Sequence, residues 1–489
     1  MLPRAALLEP DLAEPLWDAK QVYRSRPAKS NPLADNPRVR TLPLAVLGSL
    51  LLAAAVRLPG LGGRSLASAE QAAFVGSQGF STVAVVPDGR LLEAGALPRR
   101  SGPKPLDAAG LALWTRLAGS SEATLRLPSA LAGVLTAVLV ALLAARLAGA
   151  RAAAWAGALA ALSPIHALAS RQAGPEAPLL LVLALALLLI VRVEASGSRP
   201  EAIGLGLALG TLALSGTAAV AGFALVAVAW LALRADRRPA ATLAGVTGFV
   251  LLAGGATAGA ARSPLDLGAI PSWVPMTTAS GIVRCAGASF TRVAGLEYHL
   301  VVSRALEVVP LTALFVGLMA LGASRLGRRT GVLLAAGAAL PFLVGVALAL
   351  GTGRVAPLQA HRMLAALPFV AVLTAVGLAS LRGLRAWAAG GVVGGTLAAF
   401  LALALVRAGH ETSPSRATAR EVARCRPGIV AVDRPLDLLC LAAWGVPGPF
   451  FLRSPATPAP ARPAVVVGPS TACIAGGATC GALPACPID

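Results

Sequence analysis

Charged residues are scarce in this chain of 489 residues. Asp, Glu, Lys and Arg together make up 13% of it, against about 25% in typical soluble domains. Aromatic residues account for 4%, and lysine occurs only at Lys20, Lys29 and Lys104. A chain so poor in charge, with a mean hydropathy of +0.74, cannot cover a water-facing surface of this size. We therefore expect most of it to lie in a membrane.

Several motifs that would point to a soluble enzyme are also missing. The sequence contains no GxxxxGK[ST], no HExxH and no GxSxG, the marks of P-loop ATPases, zinc proteases and α/β-hydrolases. The net charge is +20, but the arginines are scattered among loops and form no basic stripe interleaved with aromatic residues. We therefore expect no nucleic-acid partner, and membrane lipids as the surroundings.

Long apolar runs, in contrast, are frequent. Runs of about 20 residues recur along the chain, and each is long enough to cross a hydrocarbon core of roughly 30 Å. They predict an all-α polytopic membrane protein with about 11 transmembrane helices. The predicted spans are 41–56, 129–147, 152–169, 177–193, 201–216, 219–234, 241–260, 303–323, 331–351, 363–381 and 387–406.

The distribution of arginine among the loops predicts the orientation of the chain. Arginines concentrate in alternate short loops, which favours a cytoplasmic N-terminus and an extracytoplasmic C-terminus in the cell inner membrane. Three regions follow from this topology: a cytoplasmic tail (1–40), a transmembrane domain (41–406) and an extracytoplasmic C-terminal domain (407–489). Two long external loops, 57–128 and 261–302, interrupt the transmembrane domain.

The C-terminal region is predicted to be a small α/β appendage. Gly428–Val432 and Ala464–Val467 have the apolar character of short buried strands, and Leu436–Trp444 that of a helix. All six cysteines lie on the predicted external side, which favours disulfides, although six cysteines allow 15 connectivities. They are Cys285, Cys425, Cys440, Cys473, Cys480 and Cys486.

The first external loop, 57–128, is the longest polar interruption in the sequence. Within it, residues 107–119 have apolar positions at helical spacing and predict an interfacial helix with Trp114 at the level of the lipid headgroups. The loop also carries Glu70, Lys104 and Arg126. A carboxylate can accept a proton from an attacking hydroxyl, and cations can hold a phosphate. We therefore expect the chemistry of the protein here.

Four stretches give the sequence a resemblance to a known family. Trp114–Gly133 resembles the segment that enters the second span of the GT-C glycosyltransferases, in particular the protein O-mannosyltransferase and aminoarabinose-transferase superfamily (glycosyltransferase family 39-like). Ala160–Glu176 is similar to the end of its third span and the following outside loop. Arg64–Glu70 lies where the family has its acidic pair, and Gly102–Leu106 where it has a Lys/His-Pro-Pro-Leu stretch.

This resemblance implies a donor, an acceptor and a set of site residues. The donor would be a polyprenyl-phosphate-linked sugar, and the acceptor a lipid, glycan or protein that arrives from outside. Catalytic roles would fall to carboxylates, and the donor phosphate would be held by basic side chains. The catalytic candidates are Glu70, Asp107 and Glu176; the phosphate-binding candidates are Lys104, Arg126, Arg171 and Arg362.

The sequence also departs from the family pattern. The acidic pair Asp-Glu is replaced by Ala69-Glu70, and the stretch that ends in an aromatic residue ends here in Asp107. The simpler roles stay open: Glu70 as a solvated loop residue, Arg171 and Glu176 as a surface ion pair, Arg126 and Arg362 as interfacial anchors. No metal ligand set is predicted; a divalent cation near Glu70 and Glu176 is compatible with the sequence but not required by it.

Three functions are consistent with these features. The first is an integral-membrane glycosyltransferase that uses a polyprenyl-phosphate sugar at the outer membrane face. The second is a catalytically degenerate relative that binds a lipid-linked sugar or scaffolds partners, suggested by Ala69. The third is a lipid or solute transporter, which the sequence disfavours because it lacks a repeated pair of broken helices in two halves.

Overall fold

The computed structural model describes residues 37–62, 66, 68–78, 80, 91–92, 97, 106–196, 198–213, 309–352, 363–407, 416–425, 429–432, 435–446, 450–452, 464–467 and 472–474. The helices are α1 (Pro37–Arg57), α2 (Ser68–Ser77), α3 (Leu106–Ala118), α4 (Glu122–Ala148), α5 (Ala150–Leu162), α6 (Pro164–Ser170), α7 (Glu176–Ser196), α8 (Arg199–Ala213), α9 (Val309–Arg325), α10 (Arg328–Thr352), α11 (Leu367–Ser380, after a 3₁₀ turn at Leu364–Ala366), α12 (Gly383–Arg407), α13 (Arg416–Cys425) and α14 (Pro435–Ala443). The strands are β1 (Leu91–Leu92), β2 (Ile429–Val432), β3 (Phe450–Leu452), β4 (Ala464–Val467) and β5 (Ala472–Ile474).

The protein is a multi-pass helical membrane protein. Within the described ranges, four helices are long and apolar enough to cross a bilayer, and α5 with α6 makes a fifth if the pair, bent by 62°, counts as one span. Three shorter apolar helices accompany them: Thr41–Arg57, Pro310–Arg325 and Leu364–Ser380. The predicted total of about 11 spans stays a prediction, because the predicted spans 219–234 and 241–260 lie outside the described residues.

The helices pack around one large apolar core drawn from α1 and from α4 to α12. Two helix backbones of this core, those of α9 and α11, approach each other closely at glycines. A Cβ atom at Gly322 would meet the carbonyl oxygen of Leu373, and one at Gly377 would meet that of Leu318. Small residues at such crossings let helices in a membrane gain contact area, so this pair of glycines sets how deeply α9 and α11 interlock.

Helix α4 begins six residues before the predicted end of the first external loop. Ser121 starts it, since its hydroxyl accepts a hydrogen bond from the backbone N–H of Thr124 at 3.2 Å. Pro128 lies inside this helix and offers no N–H to the carbonyl of Thr124. The indole N–H of Trp114 donates to that carbonyl at 2.7 Å. Trp114, predicted as a headgroup anchor on an interfacial helix, thus also ties α3 (Leu106–Ala118) to α4.

The five strands form one sheet in the order β1-β3-β2-β4-β5. β2 runs parallel to both β3 and β4, with Val430 opposite Phe450 and Val465, whereas β1 and β5 are antiparallel edge strands. β2, β4 and helix α14 lie where the sequence predicts two strands and a helix. However, β1 belongs to the first external loop, so the sheet is not built from the C-terminal segment alone.

A second apolar core joins the sheet to the first external loop. It combines side chains of α2 with side chains of α13, β2 and α14. The rings of Phe74 and Trp444 lie 5.5 Å apart, and the Trp444 indole donates to the carbonyl of Ser120 at 3.3 Å. Cys440 is buried in this core. The other five cysteine side chains lie outside the described residues, and the disulfides therefore stay a prediction.

Candidate functional site

The first element of the site is a buried ion pair between Glu70 and Arg126. Nε of Arg126 donates to Oε1 of Glu70, and Nη2 donates to Oε2, both at 2.7 Å. The Glu70 residue is 1% exposed and Arg126 5%. This parallel, two-bond arrangement is the strongest geometry that a carboxylate and a guanidinium form. Glu70 is therefore not the solvated loop residue that the sequence left open.

The same ion pair connects four segments of the chain. Nη1 of Arg126 donates to the carbonyl of Leu61 at 2.7 Å, just beyond α1. The backbone N–H of Ala173, between α6 and α7, donates to Oε1 of Glu70 at 2.8 Å. Glu70 lies on α2 and Arg126 on α4. The pair therefore holds these two helices against the end of α1 and the connection between α6 and α7.

Arg57 is a second buried arginine, at the last position of α1. Its Nη1 donates to the carbonyl of Ala161 at 3.0 Å and its Nη2 to that of Ala160 at 3.0 Å. Nη2 also lies 2.8 Å from Nδ1 of His166. The carbonyl of Ala160 needs a donor because the residue four positions later is Pro164, which has no N–H. Arg57 thus caps the broken end of α5 where the chain bends into α6.

Glycine at position 133 makes room for this arrangement. A Cβ atom there would lie 2.8 Å from Nε of Arg57 and would collide with the hydroxyl of Ser170. Arg57 and His166 are both 0% exposed. Neither Nε of Arg57 nor Nε2 of His166 has a hydrogen-bond partner among the described residues. The bend between α5 and α6 is therefore built around a buried cation that is held mainly by backbone carbonyls.

Arg171 and Glu176 lie on the connection between α6 and α7, and both are half-buried. Nη1 of Arg171 donates to the carbonyl of Val56 at 3.0 Å and lies 3.4 Å from that of Arg57. Glu176 begins α7, where a negative charge is favoured by the helix dipole. Its carboxylate lies against Gly174, whose missing Cβ leaves the space.

These contacts place six polar side chains around the end of α1 and the connection between α6 and α7. They form two hydrogen-bonded pairs, Glu70 with Arg126 and Arg57 with His166, beside Arg171 and Glu176. We call the six the polar hub: Arg57, Glu70, Arg126, His166, Arg171 and Glu176. Four of the seven predicted site residues belong to it, namely Glu70, Arg126, Arg171 and Glu176. Arg57 and His166 were not predicted as site residues, although Pro164 already indicates that a carbonyl on α5 needs a partner.

The other three predicted site residues cannot be located as side chains. Lys104 and Arg362 lie outside the described residues, and Asp107 is placed on α3 by its backbone only. In the described ranges, no group of three or more His, Cys, Asp or Glu side chains is close enough to hold a metal ion. A divalent cation therefore remains neither required nor tested.

Comparison with known proteins gives a family-model match over part of the chain and a similar fold over most of it. Residues 102–254 match the family model described as dolichyl-phosphate-mannose-protein mannosyltransferase. The structure is similar to the crystal structure of ArnT from Cupriavidus metallidurans bound to undecaprenyl phosphate. The TM-score is 0.53 at 14% identity, over 84% of this chain and 86% of that one. The chain has a GT-C glycosyltransferase fold.

Two further GT-C structures resemble the chain more distantly. Arabinofuranosyltransferase AftD from Mycobacteria gives a TM-score of 0.47 at 19% identity, over 86% of this chain and 32% of that one. The archaeal oligosaccharyltransferase AglB from Archaeoglobus fulgidus, in complex with an inhibitory peptide and a dolichol-phosphate, gives 0.44 at 14% identity, over 84% and 64%. No curated protein sequence matches the chain. The match to the family model and the similarity in fold to ArnT confirm the resemblance inferred from the sequence.

Proposed function

We propose that this chain is an integral-membrane glycosyltransferase that moves a sugar from a polyprenyl-phosphate donor to a lipid, glycan or protein acceptor. The reaction takes place at the outer face of the cytoplasmic membrane. The polar hub carries the proposal, because it places three guanidinium groups and two carboxylates around the end of α1 and the connection between α6 and α7 of a GT-C helix bundle. The similar ArnT structure binds undecaprenyl phosphate, which supports a donor of that class here.

Arg171 is the hub residue best suited to hold the donor phosphate. A guanidinium matches a phosphate with two parallel hydrogen bonds. Arg57 and Arg126 are buried and bound to carbonyls and to Glu70. Arg171 also donates to the carbonyl of Val56, but it is half-buried. Lys104 and Arg362 serve as additional cations for the phosphate in this proposal, which rests on their position in the sequence alone.

Glu176 is the hub carboxylate best suited to accept the proton of the acceptor hydroxyl. A general base must reach the hydroxyl directly or through one water molecule, and Glu176 is half-buried whereas Glu70 is 1% exposed. In the proposed step the acceptor oxygen bonds to the anomeric carbon, the bond from that carbon to the phosphate oxygen breaks, and Glu176 takes the proton. Asp107 is the alternative base.

Glu70 and Arg126 act as positioning residues in this scheme. Both oxygens of Glu70 already accept hydrogen bonds from Arg126, and Oε1 accepts another from the backbone of Ala173. A carboxylate held in this way keeps the loop between α6 and α7 in place, and that loop carries Arg171 and Glu176. Glu70, a candidate for direct proton transfer on sequence grounds, thus supports the base instead.

The second candidate function is a catalytically degenerate relative that binds a lipid-linked sugar without transferring it. Two observations favour it. Ala69 stands where the family has an aspartate, and the neighbouring Glu70 already forms an ion pair with Arg126. Such a protein would keep the donor site and lack turnover.

Release of polyprenyl phosphate from a panel of polyprenyl-phosphate sugars separates the two functions. Purified protein in nanodiscs, with membrane extract as the acceptor source, is followed by mass spectrometry. We expect release to fall about 100-fold or more in Arg171→Met, the scale for losing a charge-stabilising donor, and by a comparable factor in Glu176→Gln. The matched controls are Arg116→Met, an exposed arginine on α3, and Glu421→Gln.

Binding of the donor without release in the unaltered protein supports the degenerate function. In that case Ala69→Asp should produce measurable release. Release that is unchanged in both Arg171→Met and Glu176→Gln would refute the assignment of these residues even if the protein proves to be a transferase.

A further inference from the structure

Buried hydroxyl groups divide into two classes in the described part of the chain. Seven Ser and Thr residues are buried there, and five of them hydrogen-bond to a backbone carbonyl. The five are Ser49, Ser77, Ser129, Thr136 and Ser170. The other two, Ser163 and Thr374, have no hydrogen-bond partner among the described residues. They are 2% and 0% exposed, so both hydroxyls lie in the interior without a partner from the part of the chain that the structure describes.

These two hydroxyls line the same cavity. It lies where the bend between α5 and α6 meets α9, α11 and α12, and it has space for about one water molecule. Its remaining lining residues are all apolar: Leu159, Phe315, Leu367, Val370, Ala371 and Leu397. Ser163 and Thr374 come from elements far apart in the sequence, so their convergence on one cavity is a property of the fold.

The local backbone offers each hydroxyl a partner that it does not use. Ser163 occupies the N-cap position of α6, where serine normally accepts a bond from the first turn, but its side chain makes no capping bond. Thr374 lies inside α11, where a threonine hydroxyl commonly donates to the carbonyl four residues earlier. Both residues instead line the cavity.

We propose that Ser163 and Thr374 form a binding site for internal water in the centre of the membrane bundle. An unpaired hydroxyl in an apolar environment is costly, and internal water typically bridges groups of this kind through two to four hydrogen bonds. Water can both donate to and accept from a hydroxyl, as this site requires. The site joins α11 to the bend between α5 and α6 through water, a contact separate from the polar hub.

Hydroxyl-radical footprinting with X-ray-generated radicals tests for the water directly. Phe315 lines the cavity, whereas Phe369, equally buried, lies on α11 against Gly337. Radicals formed from a bound water oxidise the side chains next to it. We expect Phe315 to be oxidised more than Phe369, and its oxidation to drop to the level of Phe369 in the Ser163→Ala/Thr374→Val variant. Equal, low oxidation of both rings in the unaltered protein would overturn the proposal.

Thermal unfolding of near-isosteric variants is a second test. The melting temperature should fall if water bridges the two hydroxyls and rise if they are unpaired. If water bridges the hydroxyls, Thr374→Val and Ser163→Ala each lower the melting temperature by about 2–4 °C. The double variant then lowers the melting temperature by less than the sum of the two single variants, because either substitution alone already removes the bridge. The control Thr136→Val, whose hydroxyl bonds within its own helix, changes it by about 1 °C or less.

A melting temperature that rises in Thr374→Val would refute the site, since it would mean that an unpaired hydroxyl had been removed. The site would also be refuted if the variants lowered the melting temperature only when lipid is added, with no such effect after delipidation, and if Phe315 stayed unoxidised. That result would assign the pair to a lipid hydroxyl instead.

Discussion

Arg57 and Arg126 are buried arginines of the same hub, but their charges are balanced in different ways. Arg126 faces a carboxylate in a two-bond ion pair. Arg57 faces two backbone carbonyls and an imidazole. The ion pair depends on both of its members, because removing either one leaves the other charge buried and unpaired. The contacts of Arg57 compensate for a hydrogen bond that Pro164 cannot make. Burial alone therefore does not determine how much a buried arginine contributes to stability.

The largest effect should come from Arg126→Met. The substitution leaves the Glu70 carboxylate buried without its cation, which typically costs about 3–5 kcal/mol of unfolding free energy. Chemical or thermal unfolding in detergent measures this cost. The double variant Glu70→Gln/Arg126→Met should recover a large part of it. Arg424→Met, which breaks an exposed pair with Glu421, is the control and should cost about 1 kcal/mol or less. Equal costs at positions 126 and 424 would contradict the prediction.

A smaller effect is expected from Arg57→Met. This change leaves the carbonyl of Ala161 without its donor, whereas that of Ala160 still has Nδ1 of His166 at 2.9 Å, and we expect a cost of about 1–3 kcal/mol. No carboxylate is left behind, so the loss should stay below that of Arg126→Met in the same unfolding assay. A loss as large as that of Arg126→Met would show that the two arginines do not differ in the way proposed.

The role of Pro164 can be isolated by restoring the missing N–H. In a Pro164→Ala background, the backbone can donate to the carbonyl of Ala160, and Arg57 has less to supply. The cost of Arg57→Met should therefore shrink by about 1 kcal/mol, a normal coupling for neighbouring groups. The double-mutant cycle over Arg57 and Pro164 measures it. Strictly additive costs would refute the capping role of Arg57.

The smallest effect is expected at the carbonyl of Thr124, which Pro128 leaves without its usual donor in the helix. Trp114→Phe keeps an aromatic ring but removes the N–H that serves the carbonyl of Thr124. Because this site is half-buried, water can replace the donor, and we expect a cost of about 1 kcal/mol or less. Pro128→Ala should abolish even that cost. A loss greater than that of Arg57→Met would reverse the order expected from burial.

The sequence predicted much of the architecture. Apolar runs long enough for a bilayer placed the described membrane helices close to where they lie, since hydropathy and length suffice for that purpose. The start of α4 at Glu122 was missed by seven residues, since the predicted span began at residue 129. Glu122 and Arg126 interrupt the apolar pattern from which that span was predicted. β1 was not predicted, because a two-residue strand is formed by its partner β3 and leaves no pattern of its own.

The candidate site was predicted in part. Glu70, Arg126, Arg171 and Glu176 were selected from motif positions, and they do converge in the polar hub. Their partners were not foreseeable: Glu70 was considered as a base or a solvated residue, and its pairing with Arg126 across 56 positions has no local pattern. Arg57 and His166 lie 109 positions apart, and only the bend between α5 and α6 brings them together.

The sequence by itself determined that this protein is a multi-pass helical membrane protein that resembles the GT-C glycosyltransferases. Hydrophobic length and proline positions act through neighbouring residues, and so they can be recognised from the sequence alone. Only the tertiary structure decided which charges are neutralised, which carbonyls are capped by distant side chains, and that Ser163 and Thr374 share a cavity. These outcomes depend on burial and on distances of a few ångströms between segments far apart in the chain, and such distances exist only after the helices have packed.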